Sequence, residues 1–247
     1  MVSIIKEKLE CFSDLKFQFD PKQHRYTYEG DTFISVTQFI STFHKVFDED
    51  KWSKKKAEEL GVEQQEILLE WKRLNDYSNE IGTYTHQWIE DYFNGIFNPI
   101  PTNLDIVNRI NKFNLIYAKH LHKLEPVKFE TRIFSKKWKI AGTIDALFLF
   151  RGKLYIVDWK TNKKFLTDEN LVYKEPLLPP FQDFYKHHLN EYSIQISLYA
   201  LILKEWGFDV AGGYLVHIGP DDQEPKMYTC KDFTGILEKF LNSGEIK

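Results

Sequence analysis

The run Ile140-Ala141-Gly142-Thr143-Ile144-Asp145-Ala146-Leu147-Phe148-Leu149-Phe150, then Arg151-Gly152, then Lys153-Leu154-Tyr155-Ile156-Val157-Asp158-Trp159-Lys160 reads as two β-rich segments around a turn. Neighbouring antiparallel strands are the predicted outcome. Side chains alternate along a strand, so Leu154, Ile156, Asp158 and Lys160 share one face while Tyr155, Val157 and Trp159 take the other. Asp145 interrupts an otherwise apolar strand, and Gly142 before it permits close approach of another backbone or of a ligand. Two carboxylates and a lysine are thereby directed into one apolar sheet.

Charges so placed have two explanations. One is a structural ion pair in which Lys160 neutralises a carboxylate. The other starts from the surplus negative charge: two carboxylates held close together repel unless something positive lies between them, and a divalent cation serves. The second Asp favours the metal site.

Gly142-Thr143-Ile144-Asp145 followed by Asp158-Trp159-Lys160 resembles the PD-(D/E)XK nuclease superfamily, whose core is Asp, a spacer, then (Asp/Glu)-X-Lys. Gly82-Thr83-Tyr84-Thr85-His86 and Gln195-Ile196-Ser197-Leu198-Tyr199 resemble the G-x-x-x-H and Q-x-x-x-Y motifs of its RecB-like branch, in that branch's order. Glu130, in the strand-like run from Val127 to Ser135, matches a further acidic position of these enzymes. His24-Arg25-Tyr26 through Ser35-Val36-Thr37 is similar to the N-terminal region of phage-type and mitochondrial genome maintenance exonucleases.

The outlying motifs also have readings of their own. Helical periodicity runs from Tyr77 to Phe93, placing His86 and Glu90 one turn apart; alone, His86 is most simply a satisfied or exposed histidine. Gln195 and Tyr199 share a face of an amphipathic run from Tyr192 to Trp206, where Tyr199 could be plain core. A glutamine there can also donate to a phosphate oxygen or position Lys160. Glu130 reads equally well as a solvent-facing strand residue.

The resemblance implies phosphodiester hydrolysis leaving 5′-phosphate and 3′-hydroxyl ends. It makes Asp145, Asp158 and His86 the ligands of Mg²⁺ or Mn²⁺, with the backbone carbonyl of Trp159 and Glu130 as further ligands. Lys160 would orient or deprotonate the attacking water and offset charge at the phosphate, with Gln195 and Tyr199 beside it.

The expected fold is α/β: a central mixed sheet flanked by helices, restriction-endonuclease-like, with a mainly helical N-terminal region. One domain spans 1–247, divided near Glu125-Pro126 into an N-terminal hairpin and helical region (1–125) and a nuclease core (126–247). The hairpin is read over Phe17 to Ile34, around Asp20-Pro21 and Glu29-Gly30, followed by a helix from near Ser35 with Gln38 spaced for a capping box. Strands near Gly213 to Ile218 and Lys226 to Cys230 and a helix from about Phe233 complete the chain.

A net charge of −3, from 33 Lys plus Arg against 36 Asp plus Glu, gives no general attraction for nucleic acid, so any binding to DNA needs a local positive track. Candidates are Lys51 to Lys56, Lys136 to Lys139 and Lys160 to Lys164, the last two expected near the site. Trp52, Phe181, Phe184 and Tyr185 are candidates for stacking on unpaired bases. Cys11 and Cys230 alone cannot hold a four-cysteine iron–sulfur cluster and argue against a disulfide framework. Neither a membrane span nor a signal peptide is legible, and the expected location is the cytoplasm of a bacterium or phage-infected cell. His-x-x-x-His and Cys-x-x-Cys spacings are absent, which sets aside a zinc hydrolase, and adjacent His187 and His188 would point about 100° apart on a helix.

The leading expectation is a metal-dependent DNA exonuclease acting on single strands or ends in replication, recombination or repair. The alternatives are a structure-specific or CRISPR-adaptation-type endonuclease with the same chemistry, and a catalytically silent nucleic-acid-binding module.

Overall fold

The predicted hairpin is formed by β5 (Ile140–Phe150) and β6 (Lys153–Lys160), joined through Arg151 and Gly152 at φ 50° and 75°, the paired positive values of a type I′ turn. The computed structural model describes residues 1–21, 23, 25–220 and 224–244. β4 (Glu125–Ser135) pairs antiparallel along the whole of β5's other edge. β7 (Val210–His217) runs parallel to β6, and β8 (Lys226–Thr229) closes that side antiparallel.

The N-terminal stretch differs from the single hairpin expected. It is a three-stranded meander, β1 (Phe17–Asp20), β2 (Arg25–Tyr28) and β3 (Asp31–Ser35), because Asp20-Pro21 and Glu29-Gly30 each make a separate turn. His24 lies outside the described residues. β3 pairs in parallel with the start of β5 at Ile34↔Ile140 and Ser35↔Ala141, so the meander continues the main sheet, which has eight strands among the described residues. Ser35 then caps α2 (Val36–Ser41) through the predicted capping box: its Oγ accepts from Gln38 N–H and Gln38 Oε1 accepts from Ser35 N–H, both at 3.1 Å.

Helices α1 (Val2–Leu9), α3 (Glu49–Leu60), α4 (Gln64–Phe93) and α5 (Leu104–Lys119) make the rest of the N-terminal half mainly helical. The alternation read along β6 is realised as two cores. Leu154 and Ile156 pack with α2, with α6 (His188–Glu205) and with α7 (Thr234–Ser243), while Val157 and Trp159 pack with Ile89 of α4 and Phe113 and Ile116 of α5. The result is an α/β fold, a mixed sheet flanked by helices on both faces. α6 starts four residues earlier than its periodicity suggests, because the His187 ring caps it, Nδ1 accepting from Asn190 N–H at 3.2 Å. Among the described residues no helix is long and apolar enough to cross a membrane.

Candidate active site

The site arises from a change of partner along one edge of β5. Pairing with β6 runs from Phe150↔Lys153 to Ala146↔Val157 and stops; on the same edge, pairing with β3 begins only at Ala141 and Ile140. Between these contacts β6 follows β7 and leaves residues 142–145 of β5 without a ladder partner on that side. Asp145 fills the breach, its Oδ2 accepting from Trp159 N–H at 2.8 Å. Lys160 O faces β7, where it accepts from Ile218 N–H at 2.8 Å, so by strand alternation the Trp159 carbonyl faces the β5 side with its own N–H.

Three further elements reach this breach. Gly82 of α4 packs closely there: a Cβ at that position would lie 3.2 Å from Thr161 Oγ1. One turn later His86 Nδ1 stands 3.4 Å from Asp145 Oδ2. On β4, Glu130 lies opposite Asp145 in the register set by Phe129↔Ala146 and Thr131↔Ile144, and its backbone is left-handed at φ 42°. An L-residue in that conformation is strained by about 1–2 kcal/mol, a cost found mainly where a side chain must be aimed. The ligand atoms of His86, Glu130 and Asp145 all lie within 4.8 Å of one another.

Asp158 sits apart from that trio. It is 1% exposed, with Lys160 Nζ 2.6 Å from Oδ2 as an ion pair rather than an aligned hydrogen bond, and with Gln195 Nε2 donating to Oδ1 at 3.4 Å. Gln195 Oε1 accepts from Lys160 Nζ at 3.4 Å, and Gln195 Nε2 donates to Tyr199 OH at 3.0 Å. The close approach read at Gly142 is that of Tyr199 and Val36: a Cβ there would lie 2.7 Å from Tyr199 Cε1 and 3.1 Å from Val36 Cγ2. Tyr192, one helical turn before Gln195 and read from sequence only as the start of the helical run, lays the centre of its ring 4.0 Å from Lys160 Nζ. Its spacing from Gln195 was the signal that could have found it.

The electrostatics follow from crowding acids in a half-buried breach. Burial, then repulsion from Asp145, pushes Glu130 up to about 7 despite His86. Burial and Asp145 likewise raise Asp158 to about 6 against the pull of Lys160. Burial opposes ionisation of Asp145 too, but His86, Lys160 and the Trp159 N–H outweigh it and hold that carboxyl below its usual range. His86 rises to about 9: burial disfavours its charge, and Asp145, Asp158 and Glu130 overcome that. Lys160, similarly opposed by burial, is raised by Asp158 and stays an ammonium. One imidazole and two carboxylates under mutual strain form a donor set suited to a divalent cation, which would relieve the repulsion at Glu130 and Asp145.

Other candidates fall elsewhere. Phe181 is fully buried against Phe43 and Phe233 and cannot reach a base. Phe184 packs on Phe233, whereas Trp52 and Tyr185 are exposed. Lys136 to Lys139 form the β4–β5 turn, about 17–20 Å along β5 from Asp145, and are engaged by Tyr28, Asn242 and Asp31. Lys163 and Lys164 follow β6 out of the site and are exposed. His187 and His188 hold the 161–187 connection, through Asp168 (2.9 Å) and Leu166 N–H (2.8 Å).

Residues 103–245, more than half of the chain, match the family model of the PD-(D/E)XK nuclease superfamily. No curated protein matches. A solved structure titled "Crystal structure of SSO0001" is similar over 100% of this chain and 88% of its own, with 12% identity and a TM-score of 0.31, too distant a likeness to carry an argument.

Proposed function

The chain belongs to the PD-(D/E)XK nuclease superfamily, and from that premise we propose that it is a metal-dependent DNA exonuclease acting on single strands or free ends, in replication, recombination or repair. The observation that carries the reading is the convergence of His86, Glu130 and Asp145 within 4.8 Å, beside an ammonium fixed on the neighbouring strand. His86, Glu130, Asp145 and the Trp159 carbonyl would hold Mg²⁺ or Mn²⁺, with Asp158 available from the Lys160 side. Such a cation, when bound, stabilises phosphoryl charge and acidifies water.

The protein groups divide the remaining work. Lys160, kept protonated by Asp158, donates to the attacking water and offsets charge at the phosphate; its raised pKa favours a positioning ammonium over a free base. Gln195 holds Lys160 and Asp158 in register, Tyr199 braces Gln195, and the Tyr192 ring confines the ammonium. A silent binding module has no use for charges kept at such cost in a sheet. The two cysteines fit a reducing intracellular compartment, bacterial or phage-infected cytoplasm.

The test is digestion of end-labelled linear single-stranded, linear duplex and closed single-stranded circular DNA with Mg²⁺, Mn²⁺ or EDTA. Metal-dependent loss of the linear single strand, reduced about 10²–10⁴-fold in Lys160→Ala, is expected. Cutting of circles would replace the exonuclease by an endonuclease, and activity surviving in Asp145→Asn would remove the site assignment.

A further inference from the structure

β4 and β5 stay paired beyond the carboxylates of the site. Thr131↔Ile144 is followed by Arg132↔Thr143, which puts Arg132 two residues beyond Glu130 on β4 and Thr143 two residues before Asp145 on β5. Residues two apart on a strand share a face, and so do residues directly opposite across a pair, so Arg132 emerges on the face that carries Asp145. The step between the two cross-strand pairs is about 7 Å. Lys160 stands across the breach on β6, and the carboxylates therefore lie between a cation on one side and Arg132 on the other.

The meander braces Arg132 from below. The Tyr26 hydroxyl of β2 is 3.1 Å from Thr143 Oγ1, Phe19 of β1 stacks on the Tyr26 ring at 4.6 Å, and the Arg132 guanidinium carbon lies 5.2 Å from the centre of the Phe19 ring. The Tyr26 phenol, raised chiefly by burial, feels Arg132 and Glu130 in opposite directions, which places both beside it. A ring attracts a guanidinium without occupying its N–H groups. Among the described residues the Arg132 side chain is exposed and makes no hydrogen bond or ion pair. The cations before and after it are engaged: Lys128 by Glu10 at 3.0 Å and Lys136 by the Tyr28 hydroxyl at 2.6 Å. Glu130, the nearest acid on its own strand, is turned instead to His86 and Asp145.

Such a group suits a phosphate. A guanidinium offers donors in a rigid fork that matches two phosphate oxygens, and one already seated on a ring has less freedom to lose on binding.

We propose that Arg132 binds the phosphate next to the scissile one. With the scissile phosphate at the breach beside Lys160, the strand continues across β5 toward β4, where Arg132 takes its neighbouring phosphate as a bidentate contact. Phe19 and Tyr26 are positioning residues for that contact. The proposal rests on the nuclease reading and fixes the direction in which a single strand crosses the sheet.

Binding and cleavage test it separately. The Lys160→Ala chain is titrated in Mn²⁺ with a fluorescein-labelled single-stranded oligothymidylate over a range of salt concentrations. Adding Arg132→Gln should weaken binding about tenfold and reduce the slope of log K against log salt by about 0.7, the share of one phosphate in a single strand. The rise in Tm with Mn²⁺ should be the same with and without Arg132→Gln, a readout that damage to the carboxylate site would move. Arg132→Lys should restore the slope but only part of the affinity, because an ammonium lacks the fork. In the otherwise wild-type chain, Arg132→Gln should raise KM about tenfold and leave kcat within about threefold. An unchanged slope, a Mn²⁺ response that falls with the affinity, or no binding by the parent chain overturns the proposal. Binding that depends on Arg132 in a protein that cleaves nothing would keep the phosphate contact and reject the nuclease.

Discussion

At the scale of single residues, Glu130 is the group under greatest conflict. It sits at φ 42°, and its carboxyl is pushed up to about 7 by burial and by Asp145. Glycine adopts that backbone freely, so Glu130→Gly should stabilise the metal-free protein by about 1 kcal/mol, the relieved strain less glycine's own entropy cost. The same change should weaken metal binding, measurable by thermal shift and by titration calorimetry with Mn²⁺. The metal response should also depend on pH. Glu130 and Asp158 ionise at higher pH in the folded chain than in the unfolded one, so the metal-free protein loses stability as pH rises from about 4 toward 7. The His86 ion pair adds stability that is complete below its ordinary value of 6.5 and lost as pH passes about 9. A cation competes with all these protons, and the rise in Tm on adding Mg²⁺ or Mn²⁺ should accordingly be larger at pH 8 than at pH 6. A pH-independent shift would contradict the ligand set.

Among elements, the decisive relation is that of α6 to the β3–β5–β6 junction. Tyr199 lies against Gly142 because no Cβ intervenes, and through Tyr199 the position of Gln195, Asp158 and Lys160 is set. Gly142→Ala would place a Cβ 2.7 Å from the Tyr199 ring. A loss of about 1–3 kcal/mol is expected from this overpacking, with a fall in cleavage larger than the fall in stability accounts for. Tyr199→Leu added to Gly142→Ala should recover the Tm but not the activity, whereas recovery of both would show that Tyr199 is only core. The motif Gly-x-x-x-His shows the same logic on α4: Gly82 brings the helix down on Thr161, and one turn later His86 arrives within reach of Asp145.

For the whole molecule, the N-terminal meander and the nuclease segment share one sheet and one core. Leu9, Phe12, Tyr26, Phe33, Val36 and Phe39 are buried with Phe134, Ile156 and Leu198, and Tyr26 OH contacts Thr143 Oγ1 at 3.1 Å, two residues before Asp145. We expect the chain to unfold as one unit. A fragment restricted to the family segment, 103–245, should lack a cooperative transition and bind a hydrophobic dye, and a sharp transition in that fragment would show that it folds without the N-terminal meander.

The β5–β6 hairpin, the capping box at Ser35 and the faces of β6 were legible in residue order, because turn chemistry, capping and side-chain alternation act over a few neighbouring positions. The motifs also pointed to His86, Asp145, Asp158 and Lys160 as neighbours in space, and His86 does stand beside Asp145 and Asp158 beside Lys160. Which of them meet was not legible. Glu130 stands with His86 and Asp145, and Asp158 with Lys160, because β6 leaves β5 for β7 and a left-handed residue re-aims β4. The burial of Phe181, the remoteness of Lys136 to Lys139 and the exposure of residues 72–80 of α4 depend likewise on segments distant in sequence. Local pattern specifies an element and its faces; the partner of each face is chosen by long-range packing, which no local pattern encodes.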